Sequence, residues 1–143
     1  MGMVEALERF VKPPVFEGSF LKPMTESLSA ALSGLKGVQL VGSRNHRLAN
    51  TVSFVVRGAD STSLLAGLDL EGICASSGSA CSSGSLEPSH VISALGYERN
   101  LANALVRFSL GRESTPGEVE HAAKVLPKVI SRAQTAEQRL GSR

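Results

Sequence analysis

Tryptophan is absent from the sequence and aromatic side chains make up only 4% of it, so no core can be organised around large rings. Hydrophobic residues nevertheless reach 42%. Leu, Val, Ile and Ala must fill the interior, which suits helices laid on a small sheet. Excess charge of either sign is also missing: 15 Lys and Arg against 13 Asp and Glu leave a formal +2. That balance gives no reason to expect a nucleic acid or an anionic membrane as partner. No apolar run approaches the roughly 20 residues needed to cross a bilayer. The first residues alternate charged and apolar side chains where a signal peptide has an unbroken apolar stretch. A cytoplasmic protein is expected. Metal ligands are sparse as well, with Cys74 and Cys81 poorly spaced as a pair and His46, His90 and His121 scattered, so no metal site is predicted. A Cys74–Cys81 disulfide would close a tiny loop and add little, and both thiols are expected to be free. At 143 residues the chain is sized for one domain.

What is present reads as alternating elements. Val4, Leu7, Phe10 and Val11 fall at helical spacing, and Pro13-Pro14 must end that helix. Nothing before Met3 caps it, which reads as a domain entered partway through a helix. Pro23, Met24, Leu28, Ala31, Leu32 and Leu35 predict an amphipathic helix closed by Gly34 or Gly37. Two neighbouring strands are expected at 38–41 and 51–56, then a helix over 62–70 capped by Asp60 or Ser61. An apolar run, 73–75, reads as a buried strand with Cys74 as a small core residue. A helix from Pro88 to Leu95, a short helical piece at 98–104 and an alternating strand at 105–110 follow. The last helix starts at Thr115-Pro116 and buries Val119, Ala122, Leu126, Val129 or Ile130, and Ala133. Pro127 should kink it, and residues 135–143 read as a polar, frayed tail behind a single domain at 1–134. The pattern predicts an α/β, or α+β, sandwich with a small mixed or antiparallel sheet covered on one side by helices.

The chemistry gathers in residues 72–88. After the apolar run the chain turns to Ser and Gly around one thiol, Ser-Ser-Gly-Ser-Ala-Cys81-Ser-Ser-Gly-Ser-Leu-Glu-Pro88. Small residues cannot build a core, but they let the backbone turn and leave a nucleophile on a loop that solvent can reach. A Walker-type phosphate loop is excluded because no Gly-Lys-Ser/Thr closes it. Downstream, Val-Arg107-Phe-Ser-Leu-Gly-Arg112 puts one guanidinium on a strand with apolar neighbours, where it calls for an anion. An ion pair with a nearby glutamate is the plainer reading of Arg107.

These two segments, in this order, closely resemble the C-terminal part of cysteine desulfurases of the NifS/IscS type. Those are pyridoxal phosphate enzymes of the class V aminotransferase group, and the strong similarity runs from about Asn50 to about Val125. The resemblance implies the small domain of a fold-type I enzyme, with a sheet of three to four strands. It implies that Cys81 is the catalytic thiol that takes sulfur from L-cysteine, leaving L-alanine and a persulfide for iron–sulfur cluster or other sulfur-transfer pathways. It assigns Arg107 to the substrate carboxylate, for which a planar fork of donors suits better than an amine. Thiolate chemistry fits an accessible loop. Arg112 and Asn50 read as structural, and His46 and His90 as ordinary polar positions.

The family's cofactor-binding residues precede the region covered here. None of Lys12, Lys22, Lys36, Lys124 and Lys128 has the family's His-Lys context, so no cofactor is expected on this chain and the isolated chain should be inactive. Implied partners are its own large pyridoxal phosphate domain, L-cysteine, a sulfur-acceptor scaffold protein and a second copy of the full-length enzyme. The competing readings are a free-standing sulfur-relay or protein-binding module, and part of a selenocysteine lyase.

Overall fold

The computed structural model of the protein describes residues 2–10, 17–43, 45–78 and 89–141. Its helices are α1 (Gly2–Phe10), α2 (Gly18–Ser33), α3 (Ser61–Leu70), α4 (His90–Ala94), α5 (Arg99–Ala102) and α6 (Pro116–Gly141), and its strands β1 (Val38–Leu40), β2 (Thr51–Val56) and β3 (Leu105–Ser109). The strands form one antiparallel sheet in the order β1-β2-β3, with Leu40 opposite Phe54 and Phe54 opposite Val106. Alternation along β2 and β3 sends Val52, Phe54, Val56, Val106 and Phe108 to one face, where Phe54 and Phe108 stack at 5.8 Å. The sheet is antiparallel throughout, the simpler of the two arrangements expected.

Three helices cover that face. α2 contributes Leu21, Met24, Leu28 and Leu32, α3 contributes Leu64 and Leu68, and α6 contributes the stripe Val119, Ala122, Leu126, Val129, Ile130 and Ala133. Caps explain where two of them begin. The Asp60 side chain accepts from Ser63 N–H at 2.9 Å, so Asp60 is the cap of α3. Burial pushes the Asp60 carboxyl up, but the Ser63 hydrogen bonds outweigh it and hold the group below its ordinary range. Thr115 and Glu118 form a reciprocal capping box at the head of α6, with Thr115 N–H to Glu118 Oε2 at 2.7 Å and Glu118 N–H to Thr115 Oγ1 at 3.3 Å.

Four expectations are corrected. α2 begins at Gly18, not at Pro23, because Leu21 is fully buried and holds the extra turn against the core. Pro23 and Ser19 are both exposed, so the Ser19 carbonyl that loses its helical partner faces water. The opposite face of the sheet is not bare: α4 and α5 cover one end of it, burying Ile92, Leu101 and Ala102 with Val41, Val55 and Leu105. Residues 73–75 form no strand; only Ser76 pairs, in a single bridge to Arg107. The expected tail is helical through Gly141, as the last turns of α6. Pro88 and Pro13-Pro14 lie outside the described residues.

Candidate active site

Arg107 owes its place to the alternation of β3. Leu105, Arg107 and Ser109 point away from the main core, and Leu105 is sealed under α4 and α5 while Ser109 is exposed. Between them Arg107 is half-buried. Its Nε is fully buried and finds no hydrogen-bond partner among the described residues. No ion pair to Arg107 is formed among the described residues, so the glutamate partner of the plainer reading is not found there. Ser53 stands opposite it on β2, and on the outer edge Ser76 exchanges both backbone hydrogen bonds with it, at 3.0 and 2.7 Å.

That pairing is also the root of the thiol segment. The Ser76 hydroxyl lies 3.3 Å from Gly78 N, whose N–H it accepts, and 3.4 Å from Gly78 O. Gly78 has φ +121°, a conformation side chains rarely take, and a methyl built on it would stand 3.1 Å from Leu105 Cδ2 and 3.8 Å from Ser89 Oγ. Gly78 and Ser89, the described residues on either side of 79–88, therefore stand close together, with Gly78 against Leu105. Cys81 itself lies outside the described residues. Sequence reasoning missed the Ser76–Gly78 brace; its only signal was a Ser-x-Gly at the end of an apolar run.

Cys74 is exposed, not a core residue. Its neighbours Ile73 and Ala75 pack against the core on either side of it. Asn50 fastens β2 to the end of β3, with Nδ2 donating to Leu110 O at 3.2 Å and Leu110 N–H donating to Asn50 O at 2.8 Å. The histidines do not converge. His46 and His90 are exposed, and His121 Nε2 lies 3.2 Å from Glu71 O. Glu71 also binds Lys128 at 2.9 Å and approaches Arg132 at 3.7 Å, and the Lys128 hydrogen bond holds its carboxyl below the ordinary range.

The described residues do not fit pyridoxal phosphate. Lys22, Lys36, Lys124 and Lys128 are exposed, and three of them ride on α2 and α6, across the sheet from Arg107. What the site can do is hold an anion: a buried Nε without an acceptor suits a carboxylate. No group of His, Cys, Asp and Glu that could hold a metal occurs among the described residues, and no described helix is long and apolar enough to cross a membrane.

Residues 21–121 match the family model described as aminotransferase class-V. The chain is 42% identical over 101 residues to "Cysteine desulfurase IscS" of Dictyoglomus turgidum, covering 71% of this chain and 26% of that protein. It is 34% identical over 131 residues to "Cysteine desulfurase" of Rhodobacter capsulatus, covering 92% and 34%. Among solved structures, a NifS-like protein from Rickettsia africae superposes with a TM-score of 0.69 at 26% identity, covering 80% of this chain and 29% of that one. The chain thus spans between a quarter and about a third of the length of these relatives. With the family match running from residue 21 to residue 121, well over half of its length, this chain belongs to the class-V aminotransferase family.

Proposed function

We propose that this chain is the sulfur-accepting C-terminal domain of a pyridoxal phosphate-dependent cysteine desulfurase. Arg107 binds the carboxylate of L-cysteine and Cys81 takes its sulfur. The observation that carries the reading is the buried, unpartnered Nε of Arg107 on the edge strand that also anchors the thiol segment. Cys81 follows Gly78 by three residues. Covalent geometry alone, at about 3.5 Å per residue, keeps it within about 11 Å of that anchor. The overall exchange balances: the Cys81 thiol and L-cysteine become a persulfide and L-alanine.

In this reading the cofactor, which supplies the electron sink for cleaving the carbon–sulfur bond, is held by a part of the enzyme outside this chain. This chain's residues orient the substrate and receive the sulfur. A fixed guanidinium at the carboxylate sets the substrate's pose, and a thiol on a segment rooted two residues from the Arg107 pairing partner is within range of it. The persulfide then passes to a sulfur-acceptor protein, and the complete enzyme works as a cytoplasmic homodimer. α1 presents Met3, Val4 and Leu7 to solvent. Such a face suits a domain that packs against a larger body better than it suits a free-standing relay module.

Assembly of this chain with the cofactor-bearing polypeptide of such an enzyme tests the proposal. Wild type should form alanine and sulfane sulfur together, and Cys81→Ala should form neither. Arg107→Ala should raise KM for cysteine by about tenfold or more, the loss of one charge-assisted carboxylate contact. Persulfide transfer that persists in Cys81→Ala would sink the assignment. Faster turnover of selenocysteine than of cysteine would move the reading to a selenocysteine lyase.

A further inference from the structure

The outer edge of β3 is left half-paired. Val56 N–H bonds to Ala104 O and Leu110 N–H to Asn50 O, so the even-numbered residues of this stretch turn their backbone groups toward β2 and the odd-numbered ones turn theirs outward. Arg107 spends its outward groups on Ser76. In an antiparallel ladder the next pair of this kind, two residues along, would be Ser109 with Cys74. No hydrogen bond joins them, and the ladder stops after one bridge. The two backbones part there, and the outward N–H and C=O of Ser109 find no partner among the described residues. The gap opens on a groove of about 590 Å³ with Ile73 and Cys74 on one wall, Ser109 and Leu110 on the other, and Phe108 and Val119 beneath.

A strand edge beside an apolar floor is the geometry that accepts an added strand. Resting on the function proposed above, we propose that an extended, apolar segment of the cofactor-bearing part of the enzyme, outside residues 1–143, enters this groove and pairs with the Ser109 edge. The matched relatives have roughly two thirds to three quarters of their length outside the aligned region, 26% and 34% being covered, so the occupant has ample chain to come from. A strand seated there runs along β3, the strand that carries Arg107 on its other face, and so ties the cofactor-bearing part to it.

Amide hydrogen exchange, read residue by residue in the chain alone and after assembly with the cofactor-bearing polypeptide, tests this. The Ser109 and Cys74 amides should exchange freely in the chain alone and slow by about a hundredfold or more on assembly. Ser109→Pro removes only an outward N–H, which an edge strand tolerates, whereas Ser109→Ala keeps it. The proline variant should assemble at least about tenfold more weakly than the alanine variant while the isolated chains melt alike. An assembled enzyme that turns over cysteine while the Ser109 amide still exchanges freely overturns the docking site and leaves the proposed function standing. Equal assembly of the two variants overturns it too, and failure of the chain to assemble at all removes both proposals. Should the proline variant melt lower on its own, the exchange result decides.

Discussion

A buried donor without an acceptor costs about 1–3 kcal/mol, so Arg107 is expected to weaken the isolated chain. Arg107→Met keeps much of the side-chain volume and removes the orphaned Nε. The isolated variant should melt several degrees higher by calorimetry, while the assembled enzyme loses affinity for cysteine. A lower melting point would mean that Arg107 is paired after all. This residue was legible in the sequence because strand alternation fixes its face and its neighbours Val106 and Phe108 fix its depth. Cys74 was not legible. An apolar triplet reads as a buried strand, yet whether a strand forms depends on a neighbour across the edge, and here pairing occurs only at Ser76. Cys81, the residue the resemblance singled out first, lies among residues the structure does not describe.

Among the elements, the contact between α3 and α6 is the tightest test of packing. A methyl on Gly67 would stand 2.8 Å from Val129 Cγ1, so the two helices approach as closely as they do because residue 67 has no side chain. Gly67→Ala favours the helix by propensity but overpacks the contact, and it should destabilise the chain by about 1–3 kcal/mol in denaturant melts. Adding Val129→Ala should recover part of that loss, a coupling that independent sites would not show. Element starts and faces were readable wherever a local signal existed, as with the Asp60 cap, the Thr115 box and the apolar stripe of α6. The start of α2 was not readable, because burial of Leu21 is tertiary and overrides the local veto of Pro23. The extension of α6 past Thr135 follows a local rule that polar composition hid: Thr135 Oγ1 donates to Ser131 O at 2.8 Å, and a polar helix end is still a helix.

For the molecule as a whole, acid is the perturbation its carboxylates predict. Glu71 is held down by Lys128, Glu118 by Thr115 and Glu120 by Lys124, all below the ordinary 4.5, and Asp60 lies below 3.8 through Ser63 once burial is offset. A carboxylate with a lowered folded pKa stabilises above its unfolded value and loses that contribution as pH falls through the folded one. Melting temperature should therefore be flat from neutral pH down to about 5 and decline below about 4. Lys128→Met should make that decline shallower, and a melting point that rises on acidification would contradict the assignment. At this scale the closeness of Gly78 to Ser89 also matters. The ten residues between them join two points that already stand side by side, so their number is a variable that the body hardly feels, since doubling such a loop adds only about 0.6 kcal/mol of closure entropy. Under the proposed function, that freedom would let selection fit the reach of Cys81 to different recipients while the scaffold stays as it is.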